Sequence, residues 1–285
     1  MLDAVVLAAV AALTPQQKAA LVVVSGLPAP RGVGGVLVRT WDRTAPRPPG
    51  ALVFVDQEGG LVKAFPDLPP ARAASGYTSA AESFAAGRDT GRALRGQGVD
   101  VDLAPVLDAP DGPLGSRLFP KQSLGVAFAR GVAAGGAGAC AKHFPGLGST
   151  SISTDESPHV DGVVRAREVR GFRDAIRAGV PCVMVGNAFY RSLGSFRASI
   201  EPSTYRLLRS LGFHGVAITD SLSIVRHAPT ARWARQAARA GADLLLFTSP
   251  RDAARAIRAL IPLARRGELD EHVARVLELR RRFGR

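Results

Sequence analysis

The stretch Ala51-Leu-Val-Phe-Val-Asp-Gln-Glu-Gly-Gly60 contains the pattern that predicts the fold of this chain. Five consecutive apolar residues are typical of a strand that is buried on both faces of a parallel sheet. Two carboxylates and two glycines follow where this strand ends. Similar apolar runs, each closed by glycine, proline or a polar cluster, recur along the chain. The eight predicted strands are Leu21–Ser25, Gly35–Val38, Ala51–Val55, Val99–Ala104, Gly138–Lys142, Pro181–Val185, Val216–Thr219 and Ala242–Phe247.

Helical stretches separate the later strands, and most of them stop at a glycine just before the next strand, which is a typical C-terminal signal. Eight strands that alternate with helices in 285 residues predict a TIM-like (β/α)8 barrel. The link Arg39–Gly50 holds Pro46, Pro48 and Pro49, which disfavour a helix there. We therefore expect an α/β barrel with missing or shortened helices near the N-terminus, built as a single domain over residues 1–285. The predicted helices are Ala80–Gly98, Leu124–Gly136, Arg165–Gly179, Pro202–Gly212, Thr230–Gly241, Arg251–Arg265 and Asp270–Phe283.

The composition excludes several classes of protein. A hydrophobic fraction of 46% excludes a disordered chain. The net charge of +13 comes mainly from arginines that are spread along the sequence, without the interleaved aromatic residues of nucleic-acid binders, so no nucleic-acid partner is expected. Because no apolar stretch reaches about 18 residues, no membrane span is expected either.

The two cysteines and the N-terminus bear on the cellular compartment. Cys140 and Cys182 each lie inside an apolar run, which favours buried, unpaired small side chains over a bridge or a nucleophile. The apolar segment Met1–Leu13 lacks a basic start and carries Asp3, which indicates a short helix instead of a signal peptide. A cytoplasmic location is therefore expected, with a secreted form as the alternative.

Polar side chains stand where the predicted strands end, which is the end of a barrel that carries its chemistry. Asp56 and Glu58 follow the third strand, Lys142 and His143 close the fifth, and Asp220 follows the seventh. A concave site with several carboxylates suits a neutral, hydroxyl-rich ligand such as a sugar, because charge-assisted hydrogen bonds hold hydroxyl groups well.

The sequence lacks the motifs that would indicate a metal or a cofactor. Its five histidines form no His-x-His or His-x-x-x-His pair. No Gly-x-Gly-x-x-Gly follows the first strand, and no Walker motif is present. We therefore expect neither a metal nor a cofactor.

Four motifs, in order, resemble those of glycoside hydrolase family 3, and in particular its single-domain β-N-acetylglucosaminidases. They are Asp56-Gln-Glu-Gly-Gly60, Asp102-Leu-Ala-Pro-Val-Leu-Asp108, Ala141-Lys-His-Phe-Pro-Gly146 and Gly212-Phe-His-Gly-Val-Ala-Ile-Thr-Asp220. The resemblance implies a retaining exo-β-glycosidase that acts on N-acetylglucosamine-containing, cell-wall-type saccharides through a covalent glycosyl-enzyme.

The resemblance also implies roles for individual residues. Asp220 matches the catalytic nucleophile of the family. Asp56, Lys142 and His143 match residues that bind sugar hydroxyls, and Arg117 aligns with an arginine that contacts the substrate.

The chain departs from the family in the loop that follows Gly146. The β-N-acetylglucosaminidases have an Asp-Ser-His segment there, whose histidine is the general acid/base, whereas this chain has Ser153 and Asp155 in place of the aspartate and the histidine. Leu61 and Ala64 also stand where the family carries substrate-binding arginines. Three alternatives follow for the loop: Asp155 or Glu156 supplies the acid/base, His159 does, or the chain binds a saccharide without hydrolysing it.

Overall fold

The computed structural model describes residues 3–224 and 229–284, and its centre is one sheet of eight parallel strands. The strands are β1 (Val23–Ser25), β2 (Gly35–Val38), β3 (Leu52–Val55), β4 (Val101–Asp102), β5 (Gly138–Phe144), β6 (Cys182–Val185), β7 (Val216–Thr219) and β8 (Leu245–Phe247). Neighbours in the sheet are neighbours in sequence from β1 to β7, and β8 pairs with β1. A parallel bridge between Ile218 and Leu244 joins β7 to the start of β8, so the sheet is nearly closed into a barrel. The predicted (β/α)8 fold is confirmed.

The described helices surround this barrel unevenly. They are α1 (Ala4–Ala11), α2 (Pro15–Leu21), α3 (Ala80–Gly96), α4 (Gln122–Ala134), α5 (Ala166–Arg177), α6 (Pro202–Ser210), α7 (Thr230–Ala240), α8 (Pro250–Arg265) and α9 (Asp270–Phe283). Helices α3 to α7 follow β3 to β7 in turn, whereas residues 26–34 and 39–51, which follow β1 and β2, contain no helix. The expected gap in the helical layer near the N-terminus is therefore present, and α1 lies within the predicted N-terminal helix. No helix in residues 3–224 and 229–284 is long and apolar enough to cross a membrane.

Helix α9 closes the amino-terminal end of the barrel. Its side chains Val276, Leu279 and Phe283 belong to the same buried cluster as the apolar side chains inside the barrel. A Cβ placed on Gly138, the first residue of β5, would lie 3.4 Å from the Phe283 ring. The apolar side chains of α9 therefore cover the interior of the barrel at this end.

The expectation that the cysteines are unpaired is wrong. Cys140 and Cys182 form a disulfide with an S–S distance of 2.12 Å and a Cα–Cα distance of 4.4 Å. Both are fully buried, as their apolar runs indicate. The two residues face each other in the parallel register of β5 and β6, and this long-range register cannot be obtained from the sequence around either cysteine.

Candidate active site

A cavity of about 280 Å³ opens at the carboxyl-terminal end of the barrel. It contains six of the seven predicted site residues, whereas Glu156 does not line it. The residues that line the cavity are Leu37, Asp56, Glu58, Val62, Leu103, Arg117, Lys142, His143, Asp155, Met184, Asp220, Ser221, Leu246 and Thr248.

Four apolar side chains among them form the floor. Leu37 lies in β2, Leu103 directly follows β4, Met184 lies in β6 and Leu246 lies in β8. In a barrel of this type, alternate strands contribute the members of one interior layer. The polar residues therefore stand above a closed apolar layer that belongs to the even-numbered strands.

One wall of the cavity is an ion-paired cluster around Lys142. The Lys142 Nζ lies 2.5 Å from Asp56 Oδ1 and 2.6 Å from Glu58 Oε1. Arg117 grips the same Glu58 carboxylate with two hydrogen bonds of 2.8 Å, from Nε to Oε2 and from Nη2 to Oε1. Because Glu58 holds both cations, its role in the structure is to brace Lys142 and Arg117, whereas Asp56 stays partly exposed to the cavity.

The charges of this cluster stabilise one another. Burial alone would raise the pKa of Glu58, but Lys142 and Arg117 outweigh it and lower that pKa to about 2. Burial alone would lower the pKa of Lys142. The negative charges of Asp56 and Glu58 outweigh burial and raise that pKa. Glu58 and Lys142 are therefore both charged near neutral pH and present a fixed set of hydrogen-bonding groups.

His143 is oriented by Asp108, which follows β4. The Nδ1 of His143 lies 2.8 Å from Asp108 Oδ2, and the backbone N–H groups of His143 and Leu147 also donate to this carboxylate. Binding of Nδ1 to a carboxylate leaves Nε2 as the ring nitrogen that can meet a ligand. Asp108, which does not line the cavity, therefore orders both the histidine and the loop that follows it.

Asp220 stands opposite this cluster at the end of β7. Its carboxylate Oδ1 accepts a 2.7 Å hydrogen bond from the backbone N–H of Ser221. The buried Asn187 fixes that turn from below, because its Nδ2 donates to the Ser221 carbonyl at 3.0 Å. Burial and the nearby charge of Asp155 raise the pKa of Asp220, while His143 and Lys142 pull it in the opposite direction.

The loop between β5 and α5 brings Asp155 to the cavity. Its anchors are the neighbouring Ser153 and Thr154, which are buried, and Ser153 Oγ accepts a hydrogen bond from the Asp155 N–H at 3.2 Å. Glu156 is exposed and does not line the cavity. His159 is exposed outside the cavity, with its ring stacked on Phe189 at a centroid distance of 4.2 Å.

Sequence reasoning missed one buried carboxyl group beneath this loop. Glu168 lies in the first turn of α5 with no exposed surface, and neither carboxylate oxygen has a hydrogen-bond partner within the described residues. Burial and the nearby Asp108 raise the pKa of Glu168 to about 7. A glutamate in the first turn of a helix is usually exposed, so no local signal distinguished it.

The cavity has hydroxyl-binding groups on one side and a carboxylate that can act as a nucleophile on the other. The Lys142 cluster and His143 can hold hydroxyl groups, and the half-buried carboxylate of Asp220 faces the same space without a cation bonded to it in residues 3–224 and 229–284. Within that part of the chain no three His, Cys, Asp or Glu side chains are grouped as metal ligands would be. A barrel that holds carboxylates and hydroxyl-binding groups in one cavity is typical of glycoside hydrolases.

The chain belongs to glycosyl hydrolase family 3, since residues 38–279 match the model of the Glycosyl hydrolase family 3 N terminal domain. It is 32% identical over 232 residues to a beta-hexosaminidase of Stenotrophomonas maltophilia, a match that covers 72% of this chain and 69% of the relative. A beta-hexosaminidase of Vibrio cholerae is 33% identical over 238 residues, with 74% and 70% covered.

Solved structures agree with this assignment. The family 3 beta-N-acetylglucosaminidase of Paenibacillus sp. superposes with a TM-score of 0.82 at 27% identity, over 95% of this chain and 63% of that one. The beta-N-acetylhexosaminidase of Beutenbergia cavernae has a TM-score of 0.80 at 26% identity, over 93% and 98% of the two chains. The chain thus spans somewhat less than two thirds of the Paenibacillus protein and nearly all of the Beutenbergia protein.

Proposed function

We propose that this glycoside hydrolase is a retaining exo-β-glycosidase of the β-N-acetylhexosaminidase type, which acts on N-acetylglucosamine-containing, cell-wall-type saccharides. The observation that carries the proposal is the position of Asp220 across the cavity from Asp56, Lys142 and His143. The names of the relatives support the N-acetylated sugar. We further propose that residues 1–285 work as a single domain, because residues from β2 to β8 and their loops contribute to one cavity.

In this proposal Asp220 attacks the anomeric carbon of the bound sugar. Its carboxylate forms a bond to that carbon while the bond to the leaving oxygen breaks, and water later hydrolyses the glycosyl-enzyme. The nucleophile must be ionised, and Lys142 and His143 favour its ionised form against the burial that raises the pKa of Asp220. Asp56, Lys142, His143 and Arg117 hold the hydroxyl groups of the same sugar and so fix the anomeric carbon in front of Asp220.

We assign the general acid/base to Asp155. It lines the cavity with Asp220, whereas Glu156 and His159 do not. The Asp155 carboxyl would give its proton to the leaving oxygen and then take one from the attacking water. Both carboxyl groups line the same cavity, and the charge of Asp155 raises the pKa of Asp220.

Replacement of Asp220 tests the proposal directly. An aryl β-N-acetylglucosaminide with a good leaving group needs little acid assistance, so its hydrolysis depends mainly on the nucleophile. We expect turnover by the parent chain with β-anomer as the first product, detected by NMR, and a loss of ~10³-fold or more in Asp220→Ala. Asp161→Ala removes an exposed carboxylate from the neighbouring loop, outside the cavity, and serves as the matched control.

Two outcomes would contradict the proposal. Equal rates for the parent chain and Asp220→Ala would remove Asp220 as the nucleophile. Binding of the sugar, measured by calorimetry, without turnover by the parent would instead identify a chain that binds saccharides and does not cleave them.

A further inference from the structure

Arg197, in the segment between β6 and α6, is a buried arginine without an acidic partner. Only 8% of its surface is exposed, and no carboxylate in residues 3–224 and 229–284 forms an ion pair with it. Burial therefore lowers the pKa of its guanidinium, with no negative charge to oppose the effect. Arg209 and Arg275, by contrast, share the Asp243 carboxylate. Because a buried cation without a counter-ion is costly, stability alone does not account for Arg197.

The Arg197 guanidinium bridges two backbone carbonyls from different parts of the barrel's carboxyl-terminal end. Its Nη1 donates a hydrogen bond to the Asn187 carbonyl at 3.3 Å, and its Nη2 donates to the Pro158 carbonyl. Pro158 lies three residues after Asp155 in the loop between β5 and α5, whereas Asn187 lies two residues after the end of β6. The fork of the guanidinium thus ties this loop to the segment that follows β6.

The Asn187 end of this bridge also supports the turn after the proposed nucleophile. The Asn187 Nδ2 donates to the Ser221 carbonyl at 3.0 Å, and the Ser221 N–H donates to the Asp220 carboxylate at 2.7 Å. One side of the Arg197 bridge therefore leads to Asp220, and the other side leads to the loop that carries Asp155.

Two aromatic rings and a stacked histidine surround the bridge. The Arg197 guanidinium lies 4.9 Å from the centre of the Phe189 ring and 5.3 Å from that of Trp233 in α7, in cation–π contacts. His159, which follows Pro158, stacks on the Phe189 ring at 4.2 Å. The loop therefore meets this group with a side chain as well as with a carbonyl, and the rings help to offset the burial of the cation.

The hydrogen bonds of the loop show why the bridge matters for Asp155. The backbone N–H groups of residues 155–157 all donate to Ser153, within the loop itself. In the part of the chain that the structure describes, the next hydrogen bond that joins the loop to another segment is the one from Arg197 to Pro158. Asp155 is therefore held between the buried residues before it and the Arg197 bridge after it.

We infer that Arg197 is a positioning residue for the reaction: it fastens the loop that carries Asp155 to the segment beside Asp220, and so keeps the acid/base within reach of the leaving oxygen. The inference rests on the proposed function, because it takes Asp155 as the acid/base. A loosened loop should slow only those substrates that need a proton on the leaving group, since proton transfer depends steeply on geometry.

Two substrates separate the positioning of the acid from general damage. Arg197→Ala should lower kcat on an alkyl β-N-acetylglucosaminide by ~10-fold or more, and kcat/KM on an aryl glycoside with a strongly acidic phenol by at most about 3-fold. Arg197→Lys keeps the buried charge but lacks the fork that reaches both carbonyls, so it should show the same selective loss. Arg191→Ala removes an exposed arginine from the same segment and should match the parent on both substrates.

A double variant tests whether Arg197 acts through Asp155. In Asp155→Asn the acid is already missing, so the addition of Arg197→Ala should cause no further loss on the alkyl glycoside. Amide hydrogen exchange measures the fastening of the loop without catalysis. Residues 149–164 should exchange faster in Arg197→Lys than in the parent, whereas α3 and α4 should exchange at the parent rate.

Three results would each overturn the inference: equal losses of Arg197→Ala and Arg197→Lys on the two substrates, a full additional loss in the double variant, or unchanged exchange of the loop. Any of them, combined with Asp220-dependent hydrolysis by the parent, would leave the proposed function intact. Faster exchange confined to the loop, in a chain whose parent hydrolyses neither substrate, would sustain the fastening by Arg197 and contradict the proposed function.

Discussion

Glu58 shows at the scale of one residue how the site is pre-organised. It is buried, and its carboxylate is shared between Lys142 and Arg117. Replacement of a carboxylate that neutralises two cations leaves those cations repelling each other in a poorly hydrated place. The same carboxylate has a pKa of about 2, against a usual value of 4.5, so its ionisation is coupled to folding.

We therefore expect Glu58→Gln to lower the stability of the protein and to change its response to acid. The stabilisation from a lowered pKa is complete above about pH 4.5 and disappears as the pH falls toward 2, with a magnitude of about 3 kcal/mol. Guanidinium unfolding of the parent and of Glu58→Gln between pH 3 and 7 measures this contribution to the free energy of unfolding. The parent should lose stability in acid more steeply than the variant, and parallel curves would contradict the prediction.

Glu168 should affect the pH dependence of stability in the direction opposite to that of Glu58. Its folded pKa of about 7 lies above the usual 4.5, so the folded protein retains a proton that the unfolded chain has released. Its contribution to stability is then favourable below pH 4.5 and is lost as the pH rises toward 7, by ~3 kcal/mol at most. Glu168→Gln keeps the shape of the protonated group. We expect this variant to be more stable than the parent at pH 8 and equal to it at pH 4.5, and equality at both would refute the assignment.

The assignment of Asp155 predicts a dependence on the leaving group. Asp155→Asn should retain most activity on an aryl glycoside with a strongly acidic phenol and lose ~10²-fold or more on an alkyl glycoside, where protonation is needed. Glu156→Gln, one residue away and outside the cavity, is the control and should resemble the parent on both substrates. Equal losses on the two substrates would show that Asp155 acts through the structure of the loop instead.

The motifs predicted that the main polar residues of the site would lie close together, because each of them lies at the carboxyl-terminal end of a barrel strand or directly after it. Asp56, Lys142, His143 and Asp220 meet in one cavity for that reason. Asp155 lies on a long loop, and its position depends on the burial of Ser153 and Thr154, which the sequence does not indicate. Glu168 contacts Gly146 and Gly148 across the loop, and this long-range contact leaves no periodic signal.

At the scale of elements, the strands of the barrel and the helices other than α2 could be predicted because their apolar runs and glycine stops are local. The close packing of α3 against α4 could not. A Cβ on Gly87 would lie 2.2 Å from the Phe128 carbonyl, and a Cβ on Gly131 would lie 2.1 Å from the Phe84 carbonyl. These glycines allow two helix backbones to touch, and a glycine inside a helical pattern does not identify its partner helix.

The disulfide between β5 and β6 should stabilise the barrel. It closes a loop between residues that are 42 apart in sequence, and cross-links of this kind typically contribute ~2–4 kcal/mol through the unfolded state. We expect Cys140→Ala/Cys182→Ala to unfold at lower guanidinium concentration than the oxidised parent. With reductant present during unfolding, the parent should lose most of this advantage. A parent that does not respond to reductant would contradict the prediction.

At the scale of the whole molecule, the two ends of the barrel differ: one carries the candidate active site and the other is packed against a helix. The carboxyl-terminal end carries the cavity, and the amino-terminal end is closed by α9. Many of the arginines that contribute to the net charge of +13 are engaged in ion pairs, and Arg209 and Arg275 join helices to the barrel through Asp243. This supports the view that the positive charge is distributed structurally and does not form one binding surface.

Asp243, just before β8, is the centre of the closed end. Its carboxylate lies 2.6 Å from Arg209 of α6, 2.9 Å from His272 and 3.0 Å from Arg275 of α9. Burial alone would raise the pKa of Asp243, but the hydrogen bond from His272 and the two arginines lower it, so the carboxylate stays charged. The arrangement links two helices to the barrel through one fully buried side chain.

Asp243→Ala should therefore destabilise the whole molecule while leaving the chemistry unchanged. Without the Asp243 carboxylate, the partly buried cations that it binds have no acceptor. The loss of such a partner typically lowers the free energy of unfolding by ~3–5 kcal/mol. Glu268→Ala is the matched control, since Glu268 also binds two arginines, Arg239 and Arg266, but at the surface, where solvent screens the pairs. Thermal unfolding should shift strongly for the first variant and not for the second. At a temperature where both remain folded, both should hydrolyse the aryl glycoside at the parent rate, because the closed end transmits stability and not geometry to the cavity; a reduced rate in Asp243→Ala would show that the two ends are coupled.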